Sequence, residues 1–383
     1  MKSPSTPVGP TATRGPVLVV GTGLIGASIG LALRARSVEV WLQDPSPTSL
    51  ALAMDMGAGT LPGGGAPELV VVAAPPDVVG AEVTDALRKY PSAYVTDVAS
   101  VKQSVIDDII EATGEDRETL MPRYAGSHPM AGRSRSGASS AQADLFYGRP
   151  WVSVPTRWSG HDAQLAVRNL TGDLGGVLIT LGPEEHDRAV ALVSHVPQIV
   201  SSLLAARLAE APENALALAG QGLRDTTRIA SSDPDLWTRI IAGNAKSVAE
   251  ILIALRGDLD RLVDRLIDTD TMPGMPVAPG TTAAINSVVA AGNRGVGRIP
   301  GKHGSAPKRW AMVEVLIPDE PGNLGRLFSD LGSVGVNIED LTLDHSVSQP
   351  VGLARIMVAP QVLDTAIAAL TDRGWRIAGR DQQ

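Results

Sequence analysis

The sequence contains no cysteine. That absence removes disulfides, thiolate nucleophiles and thiolate metal sites together, and it fits a reducing compartment. Aromatic residues are also scarce, at 3% of 383 residues, so the core must be built from Ala, Val, Leu and Ile. An excess of positive charge is missing: the formal net charge is −8. Nucleic acid and anionic membrane surfaces are therefore disfavoured as main partners, although a local basic pocket stays open. No stretch approaches the roughly 18 consecutive apolar residues of a membrane span. The first sixteen residues, MKSPSTPVGPTATRGP, lack the apolar run of a signal peptide and read as an unstructured tail over 1–15. The expectation is a soluble cytoplasmic protein.

The length predicts two or three domains at roughly 100–200 residues each. From Pro16 to about residue 155, short apolar runs alternate with amphipathic stretches. The runs are PVLVVG, VEVWLQ, LVVVAA, AYVTDV and WVSV, and helix-like segments such as DVVGAEVTDALRKY and VKQSVIDDIIEAT lie between them. Continuous apolar strands alternating with helices predict a parallel sheet covered on both faces. Residues 161–180 are expected to add one more helix and strand. From about 186 to 268 the apolar spacing becomes three and four, which predicts long helices that need a partner surface; a dimer interface is expected there. A Gly/Pro-rich stretch follows over 269–308, with one short helix around TTAAINSVVAA. The last segment reads strand, helix, strand, strand, helix, strand.

Gly21-Thr22-Gly23-Leu24-Ile25-Gly26 is a G-x-G-x-x-G that follows the strand VLVV and opens a helix, and Asp44 ends the second strand 18 residues after Gly26. That context makes the pattern a specific dinucleotide signature. Gly21 permits a tight turn, Gly23 lets backbone approach a pyrophosphate, and Gly26 allows close helix packing. The helix N-terminus, with Thr22, Leu24 and Ile25 around it, offers free N–H groups to phosphates. A carboxylate at Asp44 suits two ribose hydroxyls and repels a 2′-phosphate, and Pro-Ser-Pro follows it rather than Arg or Lys. NAD is therefore the expected cofactor. Ala74 and Pro75, at the end of the third strand, either line the nicotinamide ribose or simply stop that strand. The fold class is α/β, with a Rossmann-type domain over 16–182, an all-helical domain over 183–295, a linker over 296–308 and a small α+β domain over 309–383. No metal is expected.

A hydride-transfer enzyme needs a base, and histidine is the usual one. Among His128, His161, His186, His195, His303 and His345, His128 stands out because Ala125-Gly126-Ser127 and Met130-Ala131-Gly132 surround it with small residues. By position alone it reads equally as a functional residue or as a core histidine. Its loop is expected to follow a strand.

The segments GTGLIGAS, DVASVK, GSHPMAG, HDRAVALVSHVP and LRDTTRIASSDPDLW occur in this order. Together they resemble the prephenate/arogenate dehydrogenase family over about residues 16–300. The resemblance implies NAD-dependent oxidative decarboxylation of a cyclohexadienol. It implies that His128 accepts the ring-hydroxyl proton, and that Ser100 bonds the same hydroxyl and orients His128 or the nicotinamide. Arg228 would bind a substrate carboxylate, Ser194 and His195 would stand near nicotinamide and substrate, and Trp237 and Asn244 would shape the pocket or merely pack. Two positions depart from the family. The pattern SHLPH is replaced by Ser194-His195-Val196-Pro197-Gln198, and Arg133-Ser134-Arg135 stands where an acidic residue is frequent. Arg133 and Gln198 both bear on the choice between prephenate and arogenate: Gln198 cannot carry charge, whereas the extra arginine suits a dianion and inclines the reading toward prephenate. A cofactor-sensing protein on the same scaffold is the alternative class; His128, Ser100 and Arg228 together argue against it.

Asp319-Glu320-Pro321-Gly322-Asn323-Leu324 between a strand and a helix, with Asn337-Ile338 opening the next strand, resembles the ACT regulatory domain. The resemblance implies an amino-acid effector, tyrosine, held by Asn323, Leu324, Asn337 and Ile338, or a module that only dimerises.

Overall fold

A computed structural model of the chain describes residues 10–132, 137–270, 280–300, 310–344 and 351–382. Two compact units divide it, Met1–Thr271 and Met272–Gln383.

The first unit opens with β1 (Val17–Val20), α1 (Leu24–Ala35), β2 (Val40–Gln43), α2 (Pro47–Asp55), β3 (Leu69–Val72), α3 (Pro76–Lys89) and β4 (Tyr94–Asp97). The four strands form a parallel sheet in the order β2-β1-β3-β4, with Val17 in register with both Val40 and Leu69. All four residues of β1 and of β3 are buried, the signature of strands covered on both faces. Helix α3 turns Val79, Val83 and Leu87 onto the sheet.

The chain continues through α4 (Gln103–Thr113), the one-turn α5 (Arg117–Leu120), β5 (Gly126–Pro129), β6 (Pro150–Val154), α6 (His161–Asp173) and β7 (Val177–Thr180). The last three strands make a second sheet, β5-β6-β7, in which β5 runs antiparallel to β6 and β6 parallel to β7. His128 was expected just after a strand; it lies within one, paired with Val152. Gly, Ser and Pro around it are poor strand formers, so β5 exists because β6 supplies its ladder. Of the expected unstructured tail, residues 1–9 lie outside the described residues, while residues 12–13 are hydrogen-bonded. The Asp173 carboxylate accepts from the Ala12 and Thr13 backbone N–H groups and pairs with Arg36, which ties residues 12–13 to the domain.

Helices follow: α7 (Pro183–Val190), a π-turn over Ala191–His195, α8 (Val196–Ala206), the short α9 (Glu213–Leu216), α10 (Gln221–Thr227), α11 (Pro234–Gly243) and α12 (Ala245–Asp270). By length and composition Pro183–Ala206 is the one helix among the described residues that could cross a membrane. It nevertheless buries His186, Asp187, His195 and Gln198, polar side chains that a lipid-facing helix would not enclose this way.

The second unit holds α13 (Thr281–Val296), then β8 (Ala311–Pro318), α14 (Asn323–Gly332), β9 (Asp340–Asp344), β10 (Val351–Val358), α15 (Leu363–Asp372) and β11 (Arg376–Gln382). Helix α13 was expected with the preceding helical block; it falls in this second unit. The βαββαβ module forms one antiparallel sheet, β11-β8-β10-β9. Strand β10 alternates half-buried and buried residues along its length, and Leu327, Leu331, Ala366 and Leu370 cover the inner face.

Candidate active site

The carboxyl ends of a parallel sheet are where open α/β folds bind ligands, and the turn after β1 lies there. Gly21 has φ +95°, and a Cβ on it would sit 2.4 Å from the Ala73 carbonyl oxygen. A Cβ on Gly26 would lie 1.9 Å from the Gly21 oxygen, whereas one on Gly23 would meet nothing within 4 Å. Two glycines are thus demanded by the turn's own packing, and the third faces open space at the N-terminus of α1, where a pyrophosphate fits. Asp44 is already preset. The Thr22 N–H and hydroxyl donate to its Oδ2 at 2.7 and 2.9 Å, and the Ser46 N–H donates to Oδ1 at 2.8 Å. Thr22 therefore holds the acidic residue in place from the glycine turn itself. The residues present fit a dinucleotide.

At the end of β4, Asp97 and Lys102 form a fully buried ion pair, Nζ to Oδ1 2.5 Å. Lys102 also donates to the Ala99 carbonyl at 2.8 Å, and the Tyr124 hydroxyl donates to Asp97 Oδ2 at 2.7 Å. Burial pushes the Lys102 pKa down and the Tyr124 pKa well up; at Lys102 the Asp97 carboxylate opposes the shift, while at Tyr124 it adds to it. The Ser127 hydroxyl donates to the Asp97 carbonyl at 2.8 Å, which fastens β5 to β4 one residue before His128.

His128 Nδ1 lies 2.9 Å from His186 Nε2, and His186 Nδ1 lies 2.8 Å from Asp187 Oδ1. The two rings meet edge to face. Asp187 further accepts from the Lys102 and Gln103 backbone N–H groups, 2.9 Å each. It thereby supplies from α7 the cap that α4 lacks in its own side chains. The partner that holds His128 is His186, not Ser100. Ser100 is half-buried at the turn between β4 and α4.

The π-turn at Ala191–His195 is the kind of single-turn widening that accompanies functional sites. It carries half-buried Ser194 and leaves His195 only 1% exposed. Asn244 Nδ2 donates to the Asp187 carbonyl at 2.7 Å and lies 3.2 Å from His195 Nδ1. Trp237 stands edge-on to the His195 ring, centroids 6.1 Å apart. Gln198 is buried between the Ser202 and Ser232 hydroxyls, at 3.3 and 3.4 Å. Arg228 is exposed in the turn after α10, and Arg133 lies outside the described residues. In the second unit, Asn323 Nδ2 donates to the Pro318 carbonyl and Asn337 Nδ2 to Glu339. Leu324 and Ile338 pack on the module's core.

Burial lowers all three histidine pKa values. The His128 value falls well below 6.5, helped by His186, Lys102 and His195, and that of His195 falls to about 4. A histidine depressed in the folded state stabilises the protein above its unfolded pKa, because the unfolded chain binds the proton first. Stability is expected to hold above pH 6.5 and to decline as pH falls toward about 4. Thermal melting followed across that range checks this; a melting temperature that stays level would contradict it.

His186, Asp187, Lys102 and Asp97 were not singled out by sequence reasoning. The signal was present as the adjacent pair His186-Asp187 at a helix start, and as the Asp and Lys that bracket DVASVK.

A glycine turn shaped for a dinucleotide and, beyond the end of β4, a histidine cluster with His186 and His195 buried and His128 half-buried fit a nicotinamide-dependent dehydrogenase. The family model for the prephenate dehydrogenase nucleotide-binding domain matches residues 29–180, and that for its dimerization domain matches residues 182–275. A Streptomyces niveus protein, described as the probable prephenate dehydrogenase NovF, is 35% identical over 94% of this chain and 98% of its own length. The prephenate dehydrogenase of Bacillus subtilis is 26% identical over 89% of this chain and 91% of its own. Among solved structures, A. aeolicus prephenate dehydrogenase in complex with hydroxyphenyl propionate and NAD+ aligns with TM-score 0.62 and 25% identity, over 73% of this chain and 97% of that one. Synechocystis arogenate dehydrogenase aligns with TM-score 0.58 and 25% identity, over 73% and 99%. The chain belongs to the prephenate dehydrogenase family and is an NAD-dependent dehydrogenase.

Proposed function

We propose that the chain is a prephenate dehydrogenase, converting prephenate to 4-hydroxyphenylpyruvate in tyrosine biosynthesis as a cytoplasmic homodimer. The observation that carries this reading is the hydrogen-bonded run His128–His186–Asp187, tied through Asp187 to the start of α4 just beyond β4 of the dinucleotide-binding sheet. Gly21, Gly23, Gly26 and the Leu24–Ile25 turn of α1 would hold the pyrophosphate, Asp44 the adenine-side ribose, and Ala74 and Pro75 the nicotinamide end. Bound NAD+ supplies the hydride acceptor. His128 takes the proton of the ring hydroxyl, since burial keeps its imidazole neutral and ready to accept. Ser100, together with Ser194 and His195, fixes the hydroxyl and ring so that proton and hydride leave along set directions. Loss of the ring carboxylate as CO2 then yields the aromatic ring. Arg228 binds a substrate carboxylate through its guanidinium fork, and Gln198 and Arg133 read the side-chain end.

The two named prephenate dehydrogenases among the relatives support prephenate over arogenate. The Synechocystis neighbour and the neutral Gln198 keep arogenate as the second reading. Leu203, Leu204, Ile253, Leu259, Val263 and Ile267 are exposed on α8 and α12, an apolar surface that supports dimerisation through the helical region. The βαββαβ module and its Pro321-Gly322 turn, with Gly322 at φ +94°, support an ACT domain that binds tyrosine at Asn323, Leu324, Asn337 and Ile338.

The test is NADH formation measured with prephenate and with arogenate, with and without tyrosine. Turnover of prephenate, slowed by tyrosine, is the expected result; turnover of arogenate alone would move the assignment to the second reading. Arg228→Ala is expected to raise KM about 10- to 100-fold with little change in kcat, the scale of one lost charge-assisted pair. An unchanged KM would remove Arg228 from the substrate site.

A further inference from the structure

We propose that Asp187 is a positioning residue that sets two active-site histidines in opposite tautomers: His128 with a bare Nε2 and His195 with an Nε2–H. The inference builds on the dehydrogenase reading above and assigns the division of labour within that site.

The first branch runs through the side chain. The Asp187 carboxylate can only accept, and it already takes the Lys102 and Gln103 N–H groups. His186 Nδ1 at 2.8 Å must therefore carry hydrogen. His186 is enclosed with Lys102, Asp97 and Asp187 as its charged neighbours, and burial favours its neutral form. Its Nε2 is then a lone pair, so His128 Nδ1, 2.9 Å away, must be the donor. The free edge of His128 is left as an unprotonated Nε2. As that nitrogen gains a proton, the His186 lone pair and the Asp187 carboxylate behind it stabilise the imidazolium, as the buried carboxylate orients and supports a histidine base in acyl-transfer triads.

The second branch runs through the main chain. The Asp187 carbonyl also only accepts, so the Asn244 atom 2.7 Å from it is the NH2 group. The second hydrogen of that group points at His195 Nδ1, 3.2 Å away, which must be a lone pair. The neutral His195 ring then carries its hydrogen on Nε2. One residue thus yields an acceptor for the substrate hydroxyl and a donor for an anionic oxygen of the same substrate, such as a carboxylate.

Full-length protein labelled with 15N-histidine tests this directly. Two-bond 1H–15N correlations above neutral pH distinguish the tautomers, and single His→Gln variants assign them. The expected result is Nδ1–H for His128 and His186 and Nε2–H for His195. An Nε2–H tautomer at His128, or Nδ1–H at His195, overturns the proposal. This spectrum needs no turnover, so it is separable from failure of the substrate assignment. Kinetically, His186→Leu is expected to lower kcat about 10- to 100-fold at unchanged KM and NAD affinity, the scale seen when the hydrogen-bond partners behind metal-bound histidines are removed. His186→Gln, whose amide can accept from His128 and donate to Asp187, is expected to recover most of that loss. Equal losses in the two variants would mean that His186 acts by packing alone.

Discussion

His128→Ala is expected to lower kcat about 10²–10⁴-fold, the usual contribution of a general base, while NAD binding stays at the wild-type level. At about 1.4 kcal/mol per decade, the loss amounts to roughly 3–5 kcal/mol of transition-state stabilisation. The separation of the two readouts follows from where the groups sit. The glycine turn depends on Gly21 and Gly26 meeting backbone at contacts no Cβ could tolerate, and Asp44 is held by Thr22 and Ser46. None of these bonds involves β5. The pH profile carries a second part of the expectation. The His128 pKa is held well below 6.5 by burial and by His186 and Lys102, so activity should stay flat through neutrality and fall only at acid pH, as the imidazole is protonated. A variant that turns over at near-full rate, or a wild-type rate that falls already at pH 6.5, would contradict the assignment.

Lys102→Ala is expected to produce the largest loss of stability of any single substitution at the site. Lys102 and Asp97 have no solvent-exposed surface, so removing the ammonium leaves a buried carboxylate without its counter-charge. Breaking a buried pair from one side costs about 3–5 kcal/mol, or roughly 6–20 °C in melting temperature for a unit of this size. The remaining Tyr124 and Ala99 hydrogen bonds to Asp97 temper the loss without neutralising the charge. Asp97→Ala combined with Lys102→Met should recover much of it, because no orphan charge is left. Calorimetry on the two variants checks this; a Lys102→Ala protein as stable as wild type would show that the pair contributes nothing. The same substitution removes a positive charge that depresses His128, so the acid limb of the activity profile should move to higher pH.

Much of the architecture was legible because burial leaves marks on sequence. Strands β1 and β3 are covered on both faces and read as unbroken Val and Leu, and β10 alternates because one face alone is sealed. The glycine turn was legible for the same reason: Gly21 and Gly26 are dictated by backbone contacts that follow from a strand entering a helix. Strand β5 was not, since Gly-Ser-His-Pro has no preference for extended pairing and takes it only beside β6. The carrier of the site escaped for a related reason. His128 and His186 stand 58 residues apart, on a strand and a helix, and no local period records their meeting. Helical periodicity over 186–268 gave no sign of the π-turn at Ala191–His195, where the added residue alters the facing of everything after it. Asn244 read as a pocket or packing residue. Its two hydrogen bonds join α7 to the π-turn, a task that emerges only when the helices are packed.

The most direct test of the central claim is a crystal structure of this chain with NAD+ and 4-hydroxyphenylpyruvate. His128 Nε2 is expected within about 2.6–3.2 Å of the ring hydroxyl, with Nδ1 still bonded to His186. A His128 ring turned away from the product, with another side chain on that hydroxyl, would contradict it.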